Sequence, residues 1–246
     1  MKIKMINPNT TVSLTQTLQW LAQAWVRPTT ELIAVSPPMG PASIESYYDD
    51  HLAAAGVFHE IARSEQEDPA DGYVIACFGE PGLWGARELT SKPVLGIAEA
   101  AMHMASMLSP SFTILSALNR SKVMMEQLVY RYGMERKLRS VRPTSISVLD
   151  IHNDPENSIR RAVELCRKAV EEDGAESVIL GCASLSLHRE AIEREAGIPV
   201  IDGLLAAVKF CEAFAELGAR TSKVLTFAKP QPKAYAGILR DFGNPL

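Results

Sequence analysis

YVIACFGEPGLWGARELTSKPVLGIAEAAMHMA, residues 73–105, and SVILGCASLSLHREAIEREAGIPVIDGLLAAVKF, residues 177–210, are two copies of one plan. Each reads as a buried β-branched run ending in a cysteine, then a loop rich in Gly, Pro or Ser, then a helix. A Pro-Val step, a second short strand and another helix follow. Cys77 and Cys182 hold the same place in their copies, and Pro93–Val94 and Pro199–Val200 agree within one residue. Self-similarity at a fixed offset marks a repeated supersecondary unit. The chain is therefore expected to form two similar lobes, each presenting a cysteine from the end of a strand.

Outward from these copies the same alternation continues. Lys2–Ile6 alternates apolar and polar residues and gives way to Asn7-Pro8-Asn9-Thr10-Thr11, a strand followed by a turn with helix-capping residues. A helix is predicted over 12–26, a strand over 31–35, a Pro-rich loop holding Ser43, Ile44 and Glu45, and a helix over 49–67. After the first copy come a strand over 112–115, a loop over 116–121, a helix over 122–132 and a strand over 145–149. Asp154-Pro155-Glu156 opens a long helix to Glu172. The last helix, 203–217, stops at Gly218, and a polar tail closes the sequence.

Strands alternating with helices at this spacing argue for parallel sheets joined by right-handed crossovers, about four βα units per half. The expected architecture is α/β, two doubly wound lobes. Residues 1–97, completed by 211–246, form the first and residues 98–210 the second. Ligands of such sheets bind beyond the carboxyl ends of the strands. The loops 7–11, 77–83, 116–121 and 182–186 therefore belong on the functional rim, and lobes facing rim to rim bring the two cysteines into one cleft.

A chain of 246 residues with 47% apolar and 22% charged residues is an ordinary globular protein. A formal charge of −4 argues against a nucleic-acid surface. No apolar run approaches the ~18 residues of a membrane span. The N-terminal apolar run is too short for a signal-peptide core. The cysteines at 77, 166, 182 and 211 make no C-x-x-C pair and no spacing suited to zinc, and with no export signal read in the sequence they are expected to be reduced thiols in the cytoplasm. His51, His59, His103, His152 and His188 form no pair at metal-ligand spacing.

Two opposed thiols suit one chemistry well. Inverting a carbon that bears a weakly acidic C–H requires taking a proton from one face and returning one to the other. A thiol of pKa about 8.5, lowered at a helix start, serves as thiolate base or thiol acid in turn. The resulting enolate needs donors, for which Asn9, Thr10, Ser116 and Asn119 are candidates beside loop N–H groups. None of this requires a metal or an organic cofactor. A lone cysteine at a strand end is ordinarily core, and that reading holds for Cys166 and Cys211. Repeat equivalence and rim position favour the functional reading for Cys77 and Cys182. Ile44 and Phe78, with Met39, Leu83 and Trp84, are candidates for a side-chain pocket. For Glu45 and Glu80, capping and loop hydrogen bonds are the simpler reading.

Ile6-Asn7-Pro8-Asn9-Thr10, Pro41-Ala42-Ser43-Ile44-Glu45, Ala76-Cys77-Phe78-Gly79-Glu80-Pro81-Gly82-Leu83 and Gly181-Cys182-Ala183 resemble the hydantoin racemase branch of the aspartate/glutamate racemase superfamily. Gly96-Ile97-Ala98-Glu99-Ala100-Ala101 and Pro199-Val200-Ile201-Asp202-Gly203 extend the likeness to nearly the whole chain. The resemblance implies a two-lobed flavodoxin-like fold, cofactor-independent racemisation of 5-substituted hydantoins or allantoin by Cys77 and Cys182, and a cytoplasmic homo-oligomer. It also implies that backbone amides at Gly79 and Ala183 grip the hydantoin carbonyls. The family usually reads Gly-Cys-Ala-Gly-Met at the second cysteine, whereas this chain has Ser184 and Leu185. Ser184 is thus a substrate-binding candidate whose side chain narrows the pocket or moves the N–H groups that hold the ring. The family's Asp after Phe-Gly is Glu80 here.

Four other functions fit the same sequence. A maleate-type cis–trans isomerase uses one cysteine as nucleophile, and an amino-acid racemase of the superfamily would favour Arg120 as a carboxylate ligand. An arylmalonate-type decarboxylase needs only one thiol, which two retained cysteines disfavour. A noncatalytic small-molecule binding protein would keep thiols of ordinary reactivity.

Overall fold

A computed structural model of the chain describes residues 1–243, the side chain of His152 excepted. Two four-stranded, wholly parallel sheets make up its frame. The first contains β1 (Lys2–Ile6), β2 (Glu31–Val35), β3 (Gly72–Ile75) and β4 (Val94–Gly96), in the order β2-β1-β3-β4. The second contains β5 (Phe112–Ser116), β6 (Leu138–Pro143), β7 (Val178–Leu180) and β8 (Val200–Asp202), in the order β6-β5-β7-β8. The two orders are the same order. Register confirms it, with Ile75 opposite Gly96 in one sheet and Leu180 opposite Asp202 in the other.

Crossover helices cover both faces of each sheet. They are α1 (Val12–Gln23), α2 (Tyr47–Glu67), α3 (Leu83–Leu89) and α4 (Ile97–Leu108) around the first sheet, and α5 (Lys122–Arg131), α6 (Val148–Asn153), α7 (Pro155–Glu171), α8 (Arg189–Ala196) and α9 (Gly203–Glu216) after it. Burial on both faces is why the central strands carry continuous apolar runs rather than alternation. Every residue of β3, β5 and β7 is buried. A shared core joins the sheets, running from Ile3, Met5 and Val74 through Ala98, Ala101 and Met102 of α4 and Leu204 to Val208 of α9 to Ile114 and Ile179. Helices α4 and α9 lie against each other there. A Cβ on Gly203 would come within 2.3 Å of the Ile97 carbonyl, so glycine sets that approach.

One predicted element is wrong and its cause is local. The strand expected over 145–149 is instead a turn leading into α6, and the edge strand is β6, seven residues earlier at its start. Ser147 accepts a hydrogen bond from the Asp150 N–H, a helix N-cap. Ser145 takes a positive φ of 63°, incompatible with a strand there. At the other ends the corrections are small. Helix α1 stops at Gln23 rather than 26, and α2 begins at Tyr47 because Ser46 caps it through the Asp49 N–H.

After α9 the chain returns to the first sheet's side. Thr221 N–H donates to the Ser91 carbonyl, and Lys223 Nζ donates to the Arg87 and Glu88 carbonyls. Among the described residues no helix is long and apolar enough to cross a membrane. Residues 244–246 of the expected 211–246 segment lie outside the described residues.

Candidate active site

In an order such as β2-β1-β3-β4 the chain leaves β1 and β3 in opposite directions, and the carboxyl ends of those strands open a crevice. Asn7 and Asn9 follow β1, and Cys77 follows β3. In the second sheet the equivalent strands are β5 and β7, followed by Ala117 and Cys182. These two crevices face each other and close on a cavity of about 60 Å³ lined by both cysteines. At roughly 10–15 Å³ per water, that is room for a few waters.

Each cysteine opens the same turn. The Glu80 N–H donates to the Cys77 carbonyl at 3.0 Å, and the Leu185 N–H donates to the Cys182 carbonyl at 3.0 Å. In both turns the N–H two residues on, of Gly79 or Ser184, faces the sulphur. The surroundings then diverge. Cys77 keeps part of its surface accessible but its thiol is densely surrounded. Burial pushes it well above its ordinary pKa, the Asp50 carboxylate adds to this, and the Gly79 N–H opposes it. Burial also raises Cys182, opposed by the Ser184 N–H, the Ser184 hydroxyl and the Leu185 N–H. The lowering expected at a helix start is therefore outweighed by enclosure.

Of the residues singled out from sequence, Asn9, Ile44, Phe78, Gly79, Ala183 and Ser184 line the cavity with the two cysteines. Thr10, Ser116 and Asn119 do not. The Thr10 N–H and hydroxyl both donate to the Pro41 carbonyl, tying the loop after β1 to the Pro-rich loop. Ser116 is fully buried at the end of β5, and Asn119 is exposed at the start of a 3-10 turn. Met39, Leu83 and Trp84 are also outside it. Leu83 belongs to the outer core of the first sheet, while Trp84 packs edge-on to Phe227. Arg120 is exposed.

Sequence reading put Asn7 and Ser121 in rim loops without singling them out and overlooked Ser46, Met124 and Val148; all five are on the cavity wall. Asn7 Nδ2 donates to Asn9 Oδ1 (3.0 Å) and Thr15 Oγ1 (2.8 Å). The Thr11 N–H also donates to Asn9 Oδ1 (3.0 Å), which leaves Asn9 Nδ2 as its available donor. Glu45 lines the cavity, and its Oε1 accepts from the Val148 N–H at 3.1 Å, a bond between the two halves of the wall.

Asp50 was not singled out either. Its Oδ1 is buried without a hydrogen-bond partner among the described residues. A Cβ on Gly79 would lie 2.5 Å from that oxygen, so the carboxylate sits directly behind the Cys77 turn. Burial lifts Asp50 to about 6 against the pull of His51 and Arg131. Glu80 is 3% exposed and does not line the cavity. It spans outward instead, accepting from the Glu99 N–H at the start of α4 and from the Tyr132 hydroxyl.

Cys166 and Cys211 are fully buried within α7 and α9. His188 Nε2 lies 3.4 Å from the Ile151 carbonyl oxygen, and the side chain of His152 is outside the described residues. No group of three or more His, Cys, Asp and Glu side chains suited to a metal is found among the described residues.

A family model described as Asp/Glu/Hydantoin racemase matches residues 3–211. The chain is 48% identical over 244 residues to a hydantoin racemase of Pseudomonas sp. (strain NS671), covering 99% of this chain and 98% of that protein. It is 40% identical over 235 residues to a hydantoin racemase of Paenarthrobacter aurescens, covering 96% and 100%. Among solved structures, the allantoin racemase from Klebsiella pneumoniae superposes with a TM-score of 0.95 at 38% identity, over 99% of both chains.

Proposed function

The chain belongs to the Asp/Glu/hydantoin racemase family, and we propose that it is an isomerase that interconverts the enantiomers of 5-substituted hydantoins, allantoin among them. One observation carries the reading: two strand-end cysteines, related by the internal repeat, line one enclosed cavity from opposite sheets.

The C5–H of a hydantoin lies beside a ring carbonyl, so its removal gives an enolate. One thiolate takes this proton and becomes a thiol, while the C–H electron pair moves toward the carbonyl oxygen. The opposite thiol then delivers its proton to the other face of C5 and becomes the thiolate. Atoms and charge balance within the pair. Asn9 Nδ2 and the loop N–H groups at Gly79 and Ala183 serve the ring carbonyls and the developing oxyanion. Ile44, Phe78 and Met124 give the site its apolar wall, which favours the neutral substrate and keeps water from the enolate.

A cytoplasmic homo-oligomer is part of the same proposal, as is the division of the chain into residues 1–97 with 211–246 and residues 98–210. Support for joining the C-terminal segment to the first lobe comes from Thr221 and Lys223, which bond to the Ser91, Arg87 and Glu88 carbonyls.

The test incubates each enantiomer of several hydantoins, allantoin included, in deuterated buffer, following optical rotation together with loss of the C5 proton. A protein-free control accounts for spontaneous racemisation. Enzyme-dependent loss of rotation with deuterium gain, abolished by Cys77→Ser and by Cys182→Ser, is expected. Unchanged turnover in either variant would overturn the two-thiol mechanism, and no turnover of any hydantoin would overturn the substrate class.

A further inference from the structure

The repeat makes Gly79 and Ser184 equivalent: each is two residues past its cysteine, and each turns its N–H to the sulphur. What stands at the two positions differs in kind: a negative carboxylate at the first, a neutral hydrogen-bond donor at the second. Against Gly79 lies the Asp50 carboxylate, whose Oδ1 is buried and unpartnered among the described residues and would be 2.5 Å from a Cβ there. At the second position the residue carries a hydroxyl. Ser184 is fully buried, lines the cavity, and its Oγ has no hydrogen-bond partner among the described residues other than the Cys182 sulphur it faces. A buried hydroxyl seldom stays unpaired, because its lost hydration is then uncompensated. Beside Cys182, the partner open to it is the sulphur.

We infer that the two thiols are not equivalent: when the pair holds a single negative charge, that charge resides on Cys182, held by the Ser184 hydroxyl, while the Asp50 carboxylate keeps the remaining proton on Cys77. Asp50 and Ser184 are positioning residues in this scheme, acting through the thiols. It rests on the two-thiol reading above and adds the direction of the resting proton.

The other charged groups around the pair agree with this assignment. Cys77 faces Glu80 and Cys182 as well as Asp50, all of which oppose a charge there. Cys182 faces Glu45, but one oxygen of that carboxylate is taken by the Val148 N–H. His51 and Arg131 face Asp50 and favour its charged form.

In turnover, the enantiomer whose C5–H points to Cys182 meets the pair already poised. Its reaction leaves the proton on Cys182 and the charge on Cys77, and Asp50 then favours the return. Enantiomers are equal in free energy, so kcat/KM is the same in both directions whatever this bias. The test must therefore read the thiols themselves.

Iodoacetamide alkylation of the intact protein is followed across pH, with each cysteine quantified separately by peptide mass spectrometry. Cys166 and Cys211 serve as internal buried references. The midpoint for Cys182 is expected below that for Cys77; midpoints are compared rather than rates because the two sulphurs differ in access. Asp50→Asn is expected to lower the Cys77 midpoint by about one unit, a tenfold gain in alkylation below the midpoint, and to leave Cys182 nearly unmoved. Ser184→Ala is expected to raise the Cys182 midpoint alone, with Ser184→Thr restoring it. A lower midpoint for Cys77, or no response of Cys77 to Asp50→Asn in a protein of unchanged circular dichroism, would overturn the inference. The readout is independent of racemisation: an inactive protein with these midpoints sinks the hydantoin reading and supports this one.

Discussion

Glu80 Oε1 stands where a side chain on Gly96 would begin: a Cβ on Gly96 would lie 1.9 Å from it. From that place the carboxylate accepts the Glu99 N–H (2.8 Å) and caps α4. In the second sheet the position equivalent to Gly96 is Asp202, at the end of β8. There Asp202 Oδ1 caps α9 directly, accepting from the Leu204 (2.8 Å) and Leu205 (3.2 Å) N–H groups. Both lobes therefore hold a carboxylate at the start of the helix that follows the fourth strand, where the helix dipole favours negative charge. One lobe takes it from the strand, the other from the cysteine loop.

Gly96→Ala should accordingly displace Glu80 and strip α4 of its cap. Loss of a hydrogen bond to a charged group costs about 1.5–3 kcal/mol, so destabilisation of roughly that size is expected in urea unfolding. A tolerated substitution would mean that Glu80 has an alternative seat.

Glu80 also predicts a pH dependence of stability. Burial lifts its carboxyl to about 7 in the folded protein, against about 4.3 in an unfolded chain. The folded state thus holds the proton more tightly, and stability from this group is complete below about pH 4.3 and lost as pH rises toward 7. Glu80→Gln, which keeps an acceptor for the Glu99 N–H, should flatten the fall in stability between those values. The check is urea unfolding at half-unit steps of pH on both proteins. An unchanged slope would assign the dependence to another group, with Asp50, lifted to about 6, the first to examine.

Much of this was legible in the sequence because seven of the eight strands are apolar or alternating runs and the repeat aligns their ends. β6 was not, because LRSVRP offers only Val141 to the core. As the edge of its sheet, it carries Arg142 outward to Asp173 and Glu172 instead. The β-branched run after it was misread although Ser147 and Asp150 carry the spacing of a capping box. At the site, Asn9, Ile44 and the residues following each cysteine were found, whereas Ser46, Asp50, Met124 and Val148, brought by tertiary approach, were not. Asp50 reads as one exposed acid on an amphipathic helix until α2 is packed against the Cys77 turn. Thr10, Ser116 and Asn119 shared the rim by sequence, but Thr10 and Ser116 turn to the Pro41 and Leu118 carbonyls and Asn119 is exposed.

Gly79→Ala tests that packing. Its methyl would meet Asp50 Oδ1 at 2.5 Å and Met124 Sδ at 3.4 Å, so either the carboxylate or the Cys77 turn must shift. A displacement of about 1 Å at a reacting group can cost about 10²-fold in rate. Racemisation should fall by about that factor while the unfolding midpoint changes little, because the position is at the rim rather than in the core. A large loss of stability with kcat retained would contradict a role in aligning the thiol.

Asn7 controls the orientation of Asn9 without touching its free amide. Its Nδ2 holds Asn9 Oδ1, which points Asn9 Nδ2 away as the donor proposed for the substrate. Asn7→Asp removes the donor and sets a carboxylate against Asn9 Oδ1, so the Asn9 amide is expected to turn over, giving Nδ2 to the new carboxylate and Oδ1 to the cavity. An acceptor would then face the developing oxyanion. Loss of one such donor typically costs about 10²–10³ in kcat, and a loss of that order is expected here. Asn9→Ala should show a similar loss, and the double variant should be no worse than either alone, since both remove the same interaction. Additive losses in kcat would instead mean that Asn7 and Asn9 act on the reaction separately.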